Sequence, residues 1–167
     1  MMEQKGISRV LLILLALAGG TLIWVFLLRS REPVVPQMPA SVPVQTLSSV
    51  IFEGMPERPV RVHIAATNEA REKGLSGSAP LAPDEGMLFF FEYPGKMAFW
   101  MKDMRFSIDI IWISSEWIIV DITHDLAPET YPRTVSPRTD AQYVLEVPSG
   151  FAKAHQLKIG QSVQFKK

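Results

Sequence analysis

FWMKDMRFSIDIIWI, residues 99–113, joins the aromatic and β-branched content of a buried strand to the charges of Lys102, Asp103, Arg105 and Asp109. Its two ends read as strands. In MAFWMK, 97–102, alternation puts Phe99 and Met101 on a core face and Trp100 beside Lys102 on the other. IDIIWI, 108–113, is a strand on which Asp109 shares a face with Ile111 and Ile113. A carboxylate at the head of an apolar face needs a partner, because burying it alone costs several kcal/mol. Arg71, Lys102 or Arg105 could supply one as an ion pair; a backbone cap is the other structural solution. So much charge against so much apolar surface points to the wall of a cleft.

Outward from this block, short strands dominate. WIIVDI, 117–122, makes a hairpin with 108–113 across Ser114-Ser115-Glu116. PVRVHIA, 59–65, alternates Val60, Val62 and Ile64 inward with Arg61 and His63 outward. GMLFFF (86–91), YVLEV (143–147) and VQF (163–165) complete the set. Thr67 caps a short helix, NEAREK, which Gly74 stops, and FAKAHQLK after Ser149-Gly150 is a second one. A proline-rich loop spans 126–140. The expected fold is mainly β (β-rich α+β): a compact barrel-like or sandwich domain with two short helices, preceded by one transmembrane helix.

That helix is read from residues 10–28, VLLILLALAGGTLIWVFLL, which carry no charge. Nineteen residues span roughly 28 Å as a helix, close to the thickness of a bilayer core. The run is longer than the apolar part of a cleaved signal peptide and ends at Arg29-Ser30-Arg31 without a small-residue cleavage site. It therefore reads as a signal anchor behind a tail of residues 1–9. Lys5 and Arg9 against Arg29 and Arg31 leave the flanking charges nearly balanced, and the short tail is assigned to the cytoplasm. Residues 29–43 hold four prolines and form an extended spacer. The globular domain, 44–167, is then extracytoplasmic, in the periplasm or at the cell surface.

The chain of 167 residues has zero formal net charge and 47% apolar residues, a globular composition with no basic surface for nucleic acid. Cysteine is absent, which excludes disulfides, thiolate metal sites and a cysteine nucleophile. No GxSxG, Walker loop, GxGxxG or HExxH occurs. His63, His124 and His155 lack metal-ligand spacing and read as solvated side chains. Met87, Met97, Met101 and Met104 could in principle bind copper(I), but thioethers more commonly fill gaps in cores, so no metal or cofactor is assigned.

The ordered blocks REKGLSG, DEGMLFFF, FWMKDMRFSIDIIWI, YVLEVPSGF and KIGQSV resemble the family catalogued as domain of unknown function 192 over about residues 60–165. The resemblance implies a small, mostly β domain, often behind a signal sequence or anchor, with no established activity. It places Arg71, Gly74, Met87, Trp100, Met101, Lys102 and Asp109 on motif positions. Ser78 stands where the family usually has arginine, Ser107 where it has proline, and Glu116-Trp117 where it has an Asp-Gly turn.

The first functional expectation is a membrane-tethered accessory module. Arg71, Trp100, Lys102, Asp103 and Asp109 would form a charged, aromatic-floored cleft for a small polar ligand or an envelope protein. A second is an envelope hydrolase using Asp103 and Asp109 as acid and base, which needs carboxyl groups ~5–9 Å apart. A passive structural module is the third.

Overall fold

The computed structural model describes residues 48–167. The tail, anchor and linker expected at 1–43 lie outside the described residues. Among the described residues no helix is long and apolar enough to cross a membrane.

Within residues 48–167 nine strands and two short helices follow in the order β1 (Ser49–Phe52), β2 (Val60–Ala65), α1 (Asn68–Lys73), β3 (Glu85–Gly95), β4 (Phe99–Trp100), β5 (Ile108–Ile113), β6 (Ile119–Leu126), β7 (Thr134–Val135), β8 (Ala141–Pro148), α2 (Phe151–Ala154) and β9 (Val163–Lys166). A 3-10 turn, Pro128–Thr130, lies between β6 and β7. Seven strands form one sheet in the order β6-β5-β8-β3-β2-β1-β9, while β4 and β7 pair separately. Among the described strands only β2 and β3 run parallel, joined by the crossover through α1. The sheet curls into a half-barrel, and its outer strands meet at one corner. There Ile118 and Ser162 form an antiparallel bridge, and the Val163 N–H donates to the Trp117 carbonyl at 2.8 Å. Of the two expected architectures, the curled sheet is the one found; among the described residues there is no second large sheet to make a sandwich.

Two cores lie on opposite faces of this sheet. The concave one gathers Val50, Phe52, Leu88, Ile111, Ile113 and Leu145, closed by Phe151 and Leu157 near α2. The outer one gathers Phe89, Met101, Ile108, Ile110, Trp112 and Val144. All six residues of β5 are therefore buried, which is why IDIIWI shows no polar face. The indole N–H of Trp112 donates to Thr123 Oγ1 at 3.0 Å, so its burial leaves no donor unpaired.

Three expectations need correction. The strand proposed at 97–102 shrinks to Phe99–Trp100, because it pairs with only two residues of the proline-rich segment. The helix proposed at 151–158 stops at Ala154, where the chain tightens through a positive φ of 53° at Gln156. Ile64, expected inward, is 40% exposed, since along β2 the concave core ends at Val62 and Ala65 belongs to the outer one.

Candidate functional site

The outer core is covered by α1 and by the segment 97–106, and the seam between them is hollow. Thr67 Oγ1 accepts from the Ala70 N–H at 3.2 Å and starts α1; Gly74, at φ 46°, ends it with its N–H on the Ala70 carbonyl. Gly74 is tight against the sheet: a Cβ there would sit 3.4 Å from the Phe89 ring. The sequence thus sets a helix of six residues directly on β3.

Arg71 ties that helix down. Its Nη1 donates to the Ala66 carbonyl at 2.7 Å and the Phe90 carbonyl at 2.8 Å, and its Nη2 donates to Asn68 Oδ1. The guanidinium lies 5.2 Å from the centroid of the Phe91 ring, a cation–π distance. Opposite, Phe99 meets Phe89, Phe91 and Trp112 edge to face, at centroid distances of 5.0, 6.3 and 5.4 Å. The segment after β4 is fastened to the end of α1: Ser76 Oγ donates to the Lys102 carbonyl at 2.8 Å, and the Gly77 N–H to the Asp103 carbonyl at 2.9 Å. Asp103 itself takes φ 57°, the left-handed conformation that carboxylate and amide side chains tolerate best.

Between these walls lies a hollow of about 210 Å³ lined by Arg71, Phe89, Phe91, Met97, Phe99 and Trp100, among others. A shallower one of about 310 Å³ adjoins it through the shared Glu72, Lys73, Ser76 and Trp100, and its far side is Lys102 and Asp103. Trp100 is 48% exposed and stands between the two. Four of the five residues singled out from the sequence, Arg71, Trp100, Lys102 and Asp103, therefore gather along one flank of α1.

Asp109 is elsewhere. It is fully buried, with Oδ1 accepting from the Asp125 N–H at 2.8 Å and Oδ2 from the Ala152 N–H at 2.9 Å. Its partners are backbone amides, not Arg71, Lys102 or Arg105. It pins the start of β5 to the end of β6 and to α2. The hollow beside it is lined by His124, Asp125, Ser149 and Lys153 and shares no residue with the Trp100 pair. Asp103 and Asp109 thus line no common cavity, and both oxygens of Asp109 are spent on the fold.

Glu146, on β8, is the residue that sequence reasoning missed. Its register partners are Met87 on β3 and Ile110 on β5, at the middle of the sheet. It lines the 210 Å³ hollow, is 6% exposed, and its Oε2 has no hydrogen-bond partner. Burial pushes its carboxyl up to about 8, so it is neutral at pH 7. A signal was present: in YVLEV, Tyr143, Leu145 and Val147 take one face, so Glu146 shares the other with the fully buried Val144. The methionines Met97 and Met104 line the hollow, Met101 is buried in the outer core, and Met87 packs against that core. Among the described residues no group of three His, Asp or Glu side chains is placed to hold a metal ion.

The model of the family described as DUF192, Uncharacterized ACR, matches residues 50–165. No curated protein matches. Among solved structures, a Sinorhizobium meliloti 1021 protein provisionally described as a transcription regulator is 27% identical, with a TM-score of 0.65 over 71% of this chain and 91% of that one. A Novosphingobium aromaticivorans DSM 12444 protein of unknown function is 24% identical, with a TM-score of 0.64 over 81% of this chain and 98% of that one, a likeness of fold alone.

Proposed function

We propose that this chain, which belongs to the DUF192 family, is a binding module held at a membrane by residues 10–28, with the hollow beside α1 as its ligand site. The observation that carries the reading is the half-exposed indole of Trp100 over a cavity walled by three phenyl rings and Arg71. Aromatic surface supplies affinity for a small ring-bearing or apolar guest, and a few fixed polar groups orient it. Lys102 and Asp103, held by backbone contacts to Ser76 and Gly77, edge the adjoining shelf and would read the guest's polar end. The apolar run 10–28 supports the tether, and the proline-rich 29–43 would hold the domain clear of the surface.

The test compares small molecules retained by the full chain and by Trp100→Ala after incubation with a cell extract, by mass spectrometry under native conditions. A bound species lost in Trp100→Ala, at unchanged melting temperature, is the expected result. Equal retention by both proteins would place binding elsewhere. Fractionation of the chain lacking residues 10–28 tests the tether: release into the soluble fraction is expected, and persistence with membranes would contradict it.

A further inference from the structure

A buried carboxyl, that of Glu146, is part of the lining of the aromatic hollow. Its Oε2 is enclosed and left without a hydrogen-bond partner. Unpartnered buried polar atoms are rare in native folds and are costly. Glu146 differs in this from the other buried acids, for Asp109 and Asp121 both accept hydrogen bonds in full.

We propose that Glu146 is the hydrogen-bond donor of the ligand site, and that the guest is a small, uncharged planar molecule whose carbonyl or ring-nitrogen acceptor meets the Glu146 carboxyl in the lining of the hollow. This inference rests on the binding role argued above. A carboxyl in an apolar pocket keeps its proton at neutral pH and then donates. Here burial alone raises it, to about 8.

The charged groups lining the same hollow decide between a neutral guest and a cation. They are Arg71, Glu72 and Lys73, all from α1; β3, β4 and the segment 97–104 add only Phe, Ala, Met and Trp side chains. An ammonium guest would meet the aromatic faces it favours, but it would lie against Arg71 and Lys73 with only Glu72 to offset them. A neutral acceptor meets no such opposition. At about 210 Å³ the hollow is smaller than the ~300 Å³ lower end of drug-sized pockets, which suits a one- or two-ring molecule. The phenyl rings of Phe89, Phe91 and Phe99 give the hollow an aromatic wall on which a flat guest can pack.

The experiment uses three single-ring probes of like shape, benzamide, benzylamine and benzoate, titrated into the full chain at pH 6.5 and 9.5 with affinities read from chemical-shift changes. Benzamide is expected to bind best at pH 6.5 and about 30-fold more weakly at pH 9.5, as the donor proton is lost. Glu146→Gln, whose amide also donates, should bind benzamide with little change between the two pH values. Glu146→Leu, which fills the same space without a donor, should lose it. Preference for benzylamine that grows with pH would overturn the proposal in favour of a cation site. Benzamide binding that is the same at both pH values, or survives in Glu146→Leu, would remove Glu146 as donor but leave the site standing. No binding of any probe at the hollow would count against both the donor and the site.

Discussion

A carboxyl removed from water and given no partner must hold its proton or cost the fold several kcal/mol. Glu146 holds it. Its carboxyl, ordinarily near 4.5, is raised by burial to about 8, so the folded chain binds this proton more tightly than the unfolded chain does. The sign follows: the penalty is absent below about pH 4.5, grows as pH rises, and levels off above about pH 8. Glu146→Gln removes that slope. Unfolding by denaturant at pH 5 and pH 8.5 should show the variant gaining on the parent by about 4 kcal/mol between the two conditions; parallel pH profiles would mean that Glu146 is paired. Asp109 has the opposite character. Both of its oxygens accept backbone N–H groups inside the protein, and an asparagine would turn an amide N–H₂ toward one of those donors. Asp109→Asn is expected to lower stability by about 2–4 kcal/mol without altering the affinity of the Trp100 hollow. A loss of ligand at unchanged melting temperature would restore Asp109 to the site.

At the scale of elements, two connections carry more than their length suggests. Asp121 on β6 accepts from the Arg138 backbone N–H at 2.8 Å and from its guanidinium Nη2 at 2.7 Å, fastening the proline-rich segment to the sheet. That segment contains β7, the partner of β4, and so holds Phe99 and Trp100 in place. The hydrogen bond from Arg138 holds the Asp121 carboxyl below its ordinary range. The contribution is therefore present above the normal carboxylate pKa and lost as pH falls through the lowered one. Arg138→Ala should lower stability at pH 7 and progressively less toward pH 2, measured by thermal unfolding at both. A cost independent of pH would point to lost packing instead. The β5–β6 turn is the second case. Trp117 stands at φ 60°, a costly conformation for a bulky residue. Its indole stacks on Tyr143 at 4.0 Å and lies parallel to Phe165 at 5.7 Å, which offsets the strain. The turn thus keeps the left-handed residue that a glycine would supply, in a chain whose sequence has none there.

Across the described residues, most of the β framework was legible because its strands obey simple rules: β5 as a β-branched and aromatic run headed by one charge, β6 as its hairpin partner, β2 by alternation up to Val62, α1 by its cap and stop. The segment 97–106 was legible in composition but not in shape. Its alternation of Phe99 and Met101 against Trp100 and Lys102 matches the burial found, yet only two residues pair as strand. The gathering of Arg71 with Trp100 depended on α1 crossing onto β3, which no local pattern encodes. Asp109 misled because a charge heading an apolar strand looks the same whether it faces a ligand or two backbone amides. Glu146 was hidden for a related reason: a single acid in a strand is ordinarily a solvent-facing residue, and only the cover supplied by 97–106 and α1 makes it an interior one. Gly86 shows the same dependence on tertiary contact. A Cβ there would lie 2.8 Å from the Glu146 carbonyl, so Gly86→Ala would force β3 and β8 apart beneath the site.

The most direct measurement is a map of amide chemical shifts in the full chain as a pool of single-ring compounds is added. Shifts should gather on Leu75, Ser76, Met97–Trp100 and Glu146, and vanish in Trp100→Ala. Shifts gathered instead around Asp109, His124, Ser149 and Lys153 would put the binding surface in the other hollow and contradict the assignment made to the flank of α1.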